Sequence, residues 1–213
     1  MKLQEYLKSI DKSKCPSDCG FQSKKDIPII WVPPPQKSLG VLISRDPTFR
    51  GIPLYNYFMS EEREFAKKML FAHSIPKLLI ERILEFMGER ISKNNSKNLF
   101  DIIFQRTYWT HLHKCFTDIK KAPFKKSNAF ECANKWLVEE LSLISSSKQK
   151  FAIILGNEAK DFVEKKLEKG VREKFVLISL PNPSGKTRKW NDKNNKDIFR
   201  EINHLLDICK NSM

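Results

Sequence analysis

Val41 to Ile43 and Phe151 to Gly156 are apolar without interruption, and Phe175 to Leu180 is broken only by Ser179. A run with no polar alternation suits a strand buried on both faces of a parallel sheet. Other segments repeat with helical period. Leu78, Leu79, Ile83 and Phe86 define a helix over 75–87, and Cys132, Trp136 and Leu143 recur in a long helix that Ser127 caps and that reaches Ile144. Further helices are predicted from Asn157 to Lys169 and from Asp197 to Cys209, with a weak one over Met1 to Ile10 and another starting at Ser60. Residues 92–98 are wholly polar and predict a surface loop. Residues 27–35 read as a short edge strand ending in prolines. From Arg106 to Cys115 the pattern alternates, so Thr107, Trp109, His111, His113 and Cys115 share a face if the strand continues that far. Strands and helices thus alternate along the chain, which predicts an α/β fold in three layers around a parallel sheet with its site at the strand tips.

Length and composition narrow the picture. A chain of 213 residues fits one domain, residues 1–213, and a hydrophobic fraction of 40% excludes a largely disordered protein. No apolar run has the length of a membrane span, and Met1 to Ile10 lacks the apolar stretch of a signal peptide, so the expected location is cytoplasmic. Thirty-nine Lys and Arg against twenty-five Asp and Glu give +14, which favours a polyanionic partner such as nucleic acid. Part of that charge, as in Lys120-Lys121 and Lys165-Lys166, also fits ordinary solvated helix faces.

Candidate chemistry gathers where the apolar runs stop. After Ser44 come Arg45, Asp46, Pro47 and Thr48, which place a carboxylate on a proline-stiffened turn beyond a strand's carboxyl end. A plain turn fits the same four residues. Gly51 to Phe58 is rich in aromatic side chains, Tyr55 among them, which suit either stacking on a nucleobase or packing beneath a loop. Cys15 and Cys19 lie on a tight turn, and Cys115 and Cys132 follow much later. Four thiols in a two-plus-two arrangement match the number a cubane iron-sulfur cluster requires. Zinc held by His111, His113 and Cys115 is an alternative, and Cys209 is left over as a structural residue.

Two loops, each directly after a buried strand, carry a resemblance. Ile43 to Pro47 resembles the first motif of the uracil-DNA glycosylase superfamily, and Asn182-Pro-Ser-Gly-Lys-Thr-Arg188 resembles its last. The last motif is similar to the Asn-Pro-Ser-Gly-Leu-Ser-Arg loop of the mismatch-specific members. Asp46 before Pro47 resembles the water-activating aspartate of the Gly-Gln-Asp-Pro-Tyr motif. The cysteines resemble those of the iron-sulfur members, with Thr110 to Cys115 matching their Thr-Asn-Leu-Val-Lys-Cys segment in order. The resemblance implies a four-stranded, mostly parallel sheet in an α/β/α sandwich, a [4Fe-4S] cluster on Cys15, Cys19, Cys115 and Cys132, and a DNA glycosylase of base excision repair; a monomer is expected. It implies Asp46 and Asn182 as catalytic residues and Arg45, Thr48, Tyr55 and His111 as base-binding residues. Ser184, Gly185, Lys186, Arg188 and Lys189 would grip DNA, single- or double-stranded. A catalytically degenerate iron-sulfur protein of the same fold, binding nucleic acid without cutting it, is the alternative.

Departures from the family pattern bear on specificity. His111 stands where an asparagine amide reads uracil, and one imidazole tautomer cannot donate and accept from the same side. Arg45 stands where the iron-sulfur members carry glutamate, Thr48 replaces a tyrosine that excludes 5-substituted bases, and Lys186 replaces a wedge leucine.

Overall fold

The structure is a computed structural model. It describes residues 2–15, 19, 21, 29, 31–47, 67–69, 71, 74–117, 123–145, 150–184 and 188–211. Four strands form its sheet among these residues: β1 (Gly40–Ser44), β2 (Thr107–His111), β3 (Lys150–Leu155) and β4 (Phe175–Leu180), in the order β2-β1-β3-β4. Every pairing is parallel, with Ser44 opposite His111, Ile43 opposite Ile154 and Leu155 opposite Leu180. All strands therefore end on one rim.

Alternate side chains of these strands go to opposite layers, which is why the runs in β1 and β3 are apolar, while β4 carries a half-buried Ser179. On one face Leu42, Phe151, Ile153 and Ile178 pack against α2 (Ile75–Met87), α3 (Lys93–Gln105) and α8 (Lys196–Asn211). On the other, Val41, Ile43, Ala152 and Ile154 meet α1 (Leu3–Lys8), a long helix between Lys126 and Ile144, and α6 (Asn157–Lys165). The predicted three-layer α/β/α sandwich is observed. The short α7 (Lys169–Arg172) leads into β4.

Close packing of these layers leaves no room at Gly40. A Cβ there would run into the ring of Phe151 on the neighbouring strand. Gly40→Ala should therefore cost about 1–3 kcal/mol in overpacking. Urea unfolding of the variant checks this, and an unchanged midpoint would contradict the packing described.

The long helix is not uniform. Its first part, α4 (Lys126–Cys132), gives way to a π-helical turn over Ala133–Leu137 before α5 (Val138–Ile144) resumes. Such turns interrupt helices mostly at sites under functional constraint.

Three expectations need correction. Residues 92–98 are not a loop: Ser92 Oγ accepts a hydrogen bond from Asn95 N at 3.2 Å and caps α3. The apolar positions that signal this helix, Leu99, Ile102 and Ile103, lie beyond the polar first turn. Of the edge strand expected over 27–35, Ile29 makes an antiparallel bridge to Cys115, and residues 27, 28 and 30 lie outside the described residues. β2 stops at His111, because the chain bends at Leu112 to Lys114, so His113 and Cys115 do not continue its face. The cap of α4 is Lys125 and not Ser127. The expected helix start at Ser60 lies outside the described residues.

Candidate active site

The strand order reverses at β1, whose successor β2 lies on one side while β3 and β4 lie on the other. In open α/β sheets ligands bind outside the carboxyl ends of the strands at such a switch point. The Arg45–Asp46 turn leaves β1 there. Ladder hydrogen bonds continue past the strand ends and fix it: Leu112 N donates to Ser44 O at 2.9 Å, and His113 N donates to Arg45 O at 3.0 Å.

Both oxygens of the Asp46 carboxylate are engaged. Arg45 Nε donates to Oδ1 at 2.6 Å, and the Thr117 hydroxyl donates to Oδ2. The Asp46 side chain is 12% exposed. Arg45 is held in turn, with its guanidinium carbon 4.6 Å from the centre of the Phe124 ring. A carboxylate has about four lone-pair sites, so two fixed donors orient Asp46 and still leave acceptor capacity for a water. Sequence reading missed Thr117, which lies 71 positions from Asp46 and carries no local signal.

His111 ends β2 beside Ser44, and Ser44 Oγ lies 2.7 Å from its Nδ1. Burial, reinforced by the Lys114 and His113 charges, lowers the His111 pKa to about 3, so the ring is neutral at physiological pH. The unfolded chain would bind that proton near pH 6.5. The folded value is lower, so stability is fully present above about 6.5 and declines as pH falls toward 3. Urea midpoints should drop between pH 7 and 4, and His111→Gln should flatten that dependence. An identical slope in the variant would remove His111 as its source.

The second loop follows β4. Asn182 Oδ1 accepts from Ser184 N at 2.9 Å, which closes a tight turn. Arg82 of α2 donates to Pro183 O at 3.3 Å, and Trp190 Nε1 donates to Asn182 O at 3.2 Å, pinning the loop to the helical layer. Gly156, with φ of 86°, ends β3 against Asn182, where a larger residue would be strained. A cavity of about 400 Å³ opens beside this loop, lined by Gly156, Lys160, Asn182, Lys189, Arg200 and Glu201 among others. Arg188 and Lys189 are exposed on the following 3-10 turn.

Predicted site residues thus fall into two groups on one rim. Arg45, Asp46 and His111 stand at the tips of β1 and β2; Asn182, Ser184 and Lys189 stand at the tip of β4. Two strand spacings, roughly 10 Å, separate β1 from β4. The cavity beside Asn182 is not lined by Asp46 or His111. Thr48, Tyr55, Gly185 and Lys186 lie outside the described residues.

Just past β2, Cys115 shares a small buried cluster with Cys19, against which Cys15 packs, and Cys132 interacts electrostatically with the other three. Cys19, Cys115 and Cys132 are buried and Cys15 is half-buried; none is in a disulfide. Burial pushes the Cys115 and Cys132 thiols up to about 12, and the thiols of Cys15 and Cys19 press both further in that direction. Cys19 acts likewise on Cys15, whose pKa is also raised chiefly by burial. Lys114 N donates to Cys132 Sγ at 3.4 Å. Among the described residues no group of three or more His, Cys, Asp or Glu could hold a single metal ion. The zinc triad is accordingly not assembled: His111 Nδ1 faces Ser44 and His113 Nδ1 faces Cys115 O.

Behind this region lies a buried ion pair. Lys114 Nζ is 2.7 Å and 2.8 Å from the two oxygens of Glu140, with side chains 3% and 0% exposed. Thr110 and Tyr108 hydroxyls also donate to Glu140.

Among the described residues no helix is long and apolar enough to cross a membrane. Comparison with curated proteins finds no match. The signature of the Uracil DNA glycosylase superfamily matches residues 57–207, which takes in the 110–115 and 182–188 segments and begins beyond the Asp46 turn. That match spans well over half the sequence and agrees with the parallel four-stranded sheet, so the chain belongs to the uracil DNA glycosylase superfamily.

Proposed function

We propose that this protein is a monofunctional DNA glycosylase that swings a deaminated or otherwise altered base out of DNA and hydrolyses its N-glycosidic bond. The observation that carries this reading is the Asp46 carboxylate at the tip of β1, held by Arg45 and Thr117 on the same sheet rim as the Asn182 loop. Extruding a base costs a few kcal/mol, which contacts to the opened strand must offset. Ser184, Gly185, Lys186, Arg188 and Lys189 supply those contacts through hydroxyl, backbone N–H and cationic groups. Asp46 orients the attacking water and stabilises the cationic sugar that develops as the base leaves, with Asn182 close to the departing base. His111, Arg45, Thr48 and Tyr55 are assigned to recognition of the base. The protein acts as a cytoplasmic monomer.

The cysteine set fits a [4Fe-4S] cluster: four thiols, mostly buried and electrostatically linked, with a peptide N–H directed at one sulfur. Cys15, Cys19, Cys115 and Cys132 would hold it, and it would tie the N-terminal segment to the end of β2 and to α4. Purified without oxygen, the protein should be brown with about four irons per chain. Cys132→Ser should lose the colour, whereas a colourless protein with one zinc rejects the cluster.

Incubation with single strands and duplexes carrying uracil, hypoxanthine, xanthine or 5-hydroxymethyluracil, followed by alkaline cleavage, tests the activity. Strand breaks at the altered base support it, and their absence from every substrate refutes it. The second reading, a non-catalytic DNA-binding protein, draws on one observation, that both Asp46 oxygens already have protein partners. It predicts salt-dependent binding with no base released.

A further inference from the structure

We infer that Ser44 fixes His111 as its Nε2–H tautomer, and that the pocket consequently reads a single carbonyl oxygen on the base and not a paired donor and acceptor. This rests on the glycosylase reading above and adds to it the class of base and the residue that selects it.

The two residues face each other across parallel strands, and Ser44 Oγ lies 2.7 Å from His111 Nδ1. Only two proton placements fit that contact. If Nδ1–H donated to Oγ, the serine hydroxyl would need an acceptor of its own. Ser44 is 2% exposed, and its hydroxyl has no other partner among the described residues. A buried hydroxyl left without an acceptor carries its full desolvation penalty. If the Ser44 hydroxyl donates to Nδ1, one hydrogen bond satisfies both groups. The proton of the neutral imidazole must then sit on Nε2.

Nε2 lies across the ring from Nδ1 and has no hydrogen-bond partner among the described residues. His111 stands at the carboxyl tip of β2, and the ladder from Leu112 and His113 to Ser44 and Arg45 ties it to the Asp46 turn. The imidazole therefore offers one fixed N–H donor at the rim where the carboxylate sits. The hydroxyl serves only to choose which nitrogen offers it.

A lone donor has a definite chemical preference. Deamination replaces an exocyclic amino group, which donates, with a carbonyl, which accepts. An N–H aimed at that position accepts the oxo base and opposes its amino parent. It makes no demand on a ring N–H, nor on ring size or 5-substitution. The class that follows is bases carrying a carbonyl where the parent has an amino group, meaning uracil, 5-substituted uracils and hypoxanthine, against cytosine and adenine. Ser44 is a positioning residue in this scheme, acting through His111.

Nitrogen-15 NMR of labelled protein, with His111→Gln to assign the signals, reads the tautomer without any need for activity. Protonated Nε2 and bare Nδ1 are expected in the wild type, with mixed tautomers in Ser44→Ala and the wild-type state in Ser44→Thr. Release of uracil, 5-hydroxymethyluracil, hypoxanthine, cytosine and adenine by the same proteins reads selectivity. Ser44→Ala should lower the ratio of oxo to amino bases by about 10- to 100-fold, the value of one lost buried hydrogen bond, and Ser44→Thr should restore it. A general loss of fold would depress all bases together and leave that ratio unchanged. Nδ1–H in the wild type overturns the tautomer, and strict preference for uracil alone overturns the class. Release of no base by any protein sinks the glycosylase reading and the base class with it, while the NMR result still decides the Ser44–His111 bond.

Discussion

Asp46→Asn should reduce base release by about 10²- to 10⁴-fold, the range that a positioned acid-base group contributes. The substitution keeps the shape of the side chain. Arg45 Nε can still donate to the remaining Oδ1, but the amide that replaces Oδ2 is a donor and cannot accept from the Thr117 hydroxyl. It also cannot take a proton from water. Single-turnover release on the best substrate, with thermal melting as a control for folding, measures the effect. Thr117→Val keeps the charge and removes one tether, so a smaller loss of about tenfold is expected from misorientation. Full activity in Asp46→Asn with an intact fold would mean that the bond is broken by another group.

The largest stability effect should come from Glu140→Ala, at about 3–5 kcal/mol. Glu140 is fully enclosed and collects donors from Tyr108, Thr110 and Lys114. Its removal strands the Lys114 ammonium and two hydroxyls in a region that water cannot reach. The pair as such need not be a large net stabiliser, because two charges lose their hydration on burial. Lys114→Met combined with Glu140→Leu should therefore recover the part of the loss that is due to the charge, the Tyr108 and Thr110 hydroxyls still lacking that acceptor. Urea unfolding of the singles and the double separates these claims. If the double is as unstable as Glu140→Ala, the orphaned charge is not the cause.

The parts of this molecule that the sequence made legible are those carried by local pattern. Val41 to Ile43 and Phe151 to Gly156 announce strands covered on both sides, Phe175 to Leu180 a strand that is covered less completely, and the order of strands and helices implies the layers. The α3 start was missed because its first turn is polar and its apolar period begins only at Leu99. The two loops of the candidate site are legible as polar turns at the strand tips, where Asp46 and Asn182 follow β1 and β4. The contacts that tune the site are not, since Thr117 with Asp46, Ser44 with His111 and Lys114 with Glu140 are 71, 67 and 26 positions apart. Partnerships of that reach are made by folding and leave no trace in periodicity.

The wide turn over Ala133–Leu137 sets the phase of the helix that carries it. In an unbroken α-helix the eight steps from Cys132 to Glu140, at about 100° each, would leave them about 80° apart around the axis. One residue absorbed in the turn makes the advance equivalent to about seven steps, which aligns them to within about 20°. Both then address Lys114, the first through its peptide N–H and the second through its ammonium. Loss of one residue from that turn would regenerate plain helix without rotating either grip, so this stretch can shorten by one where the rest of the helix cannot.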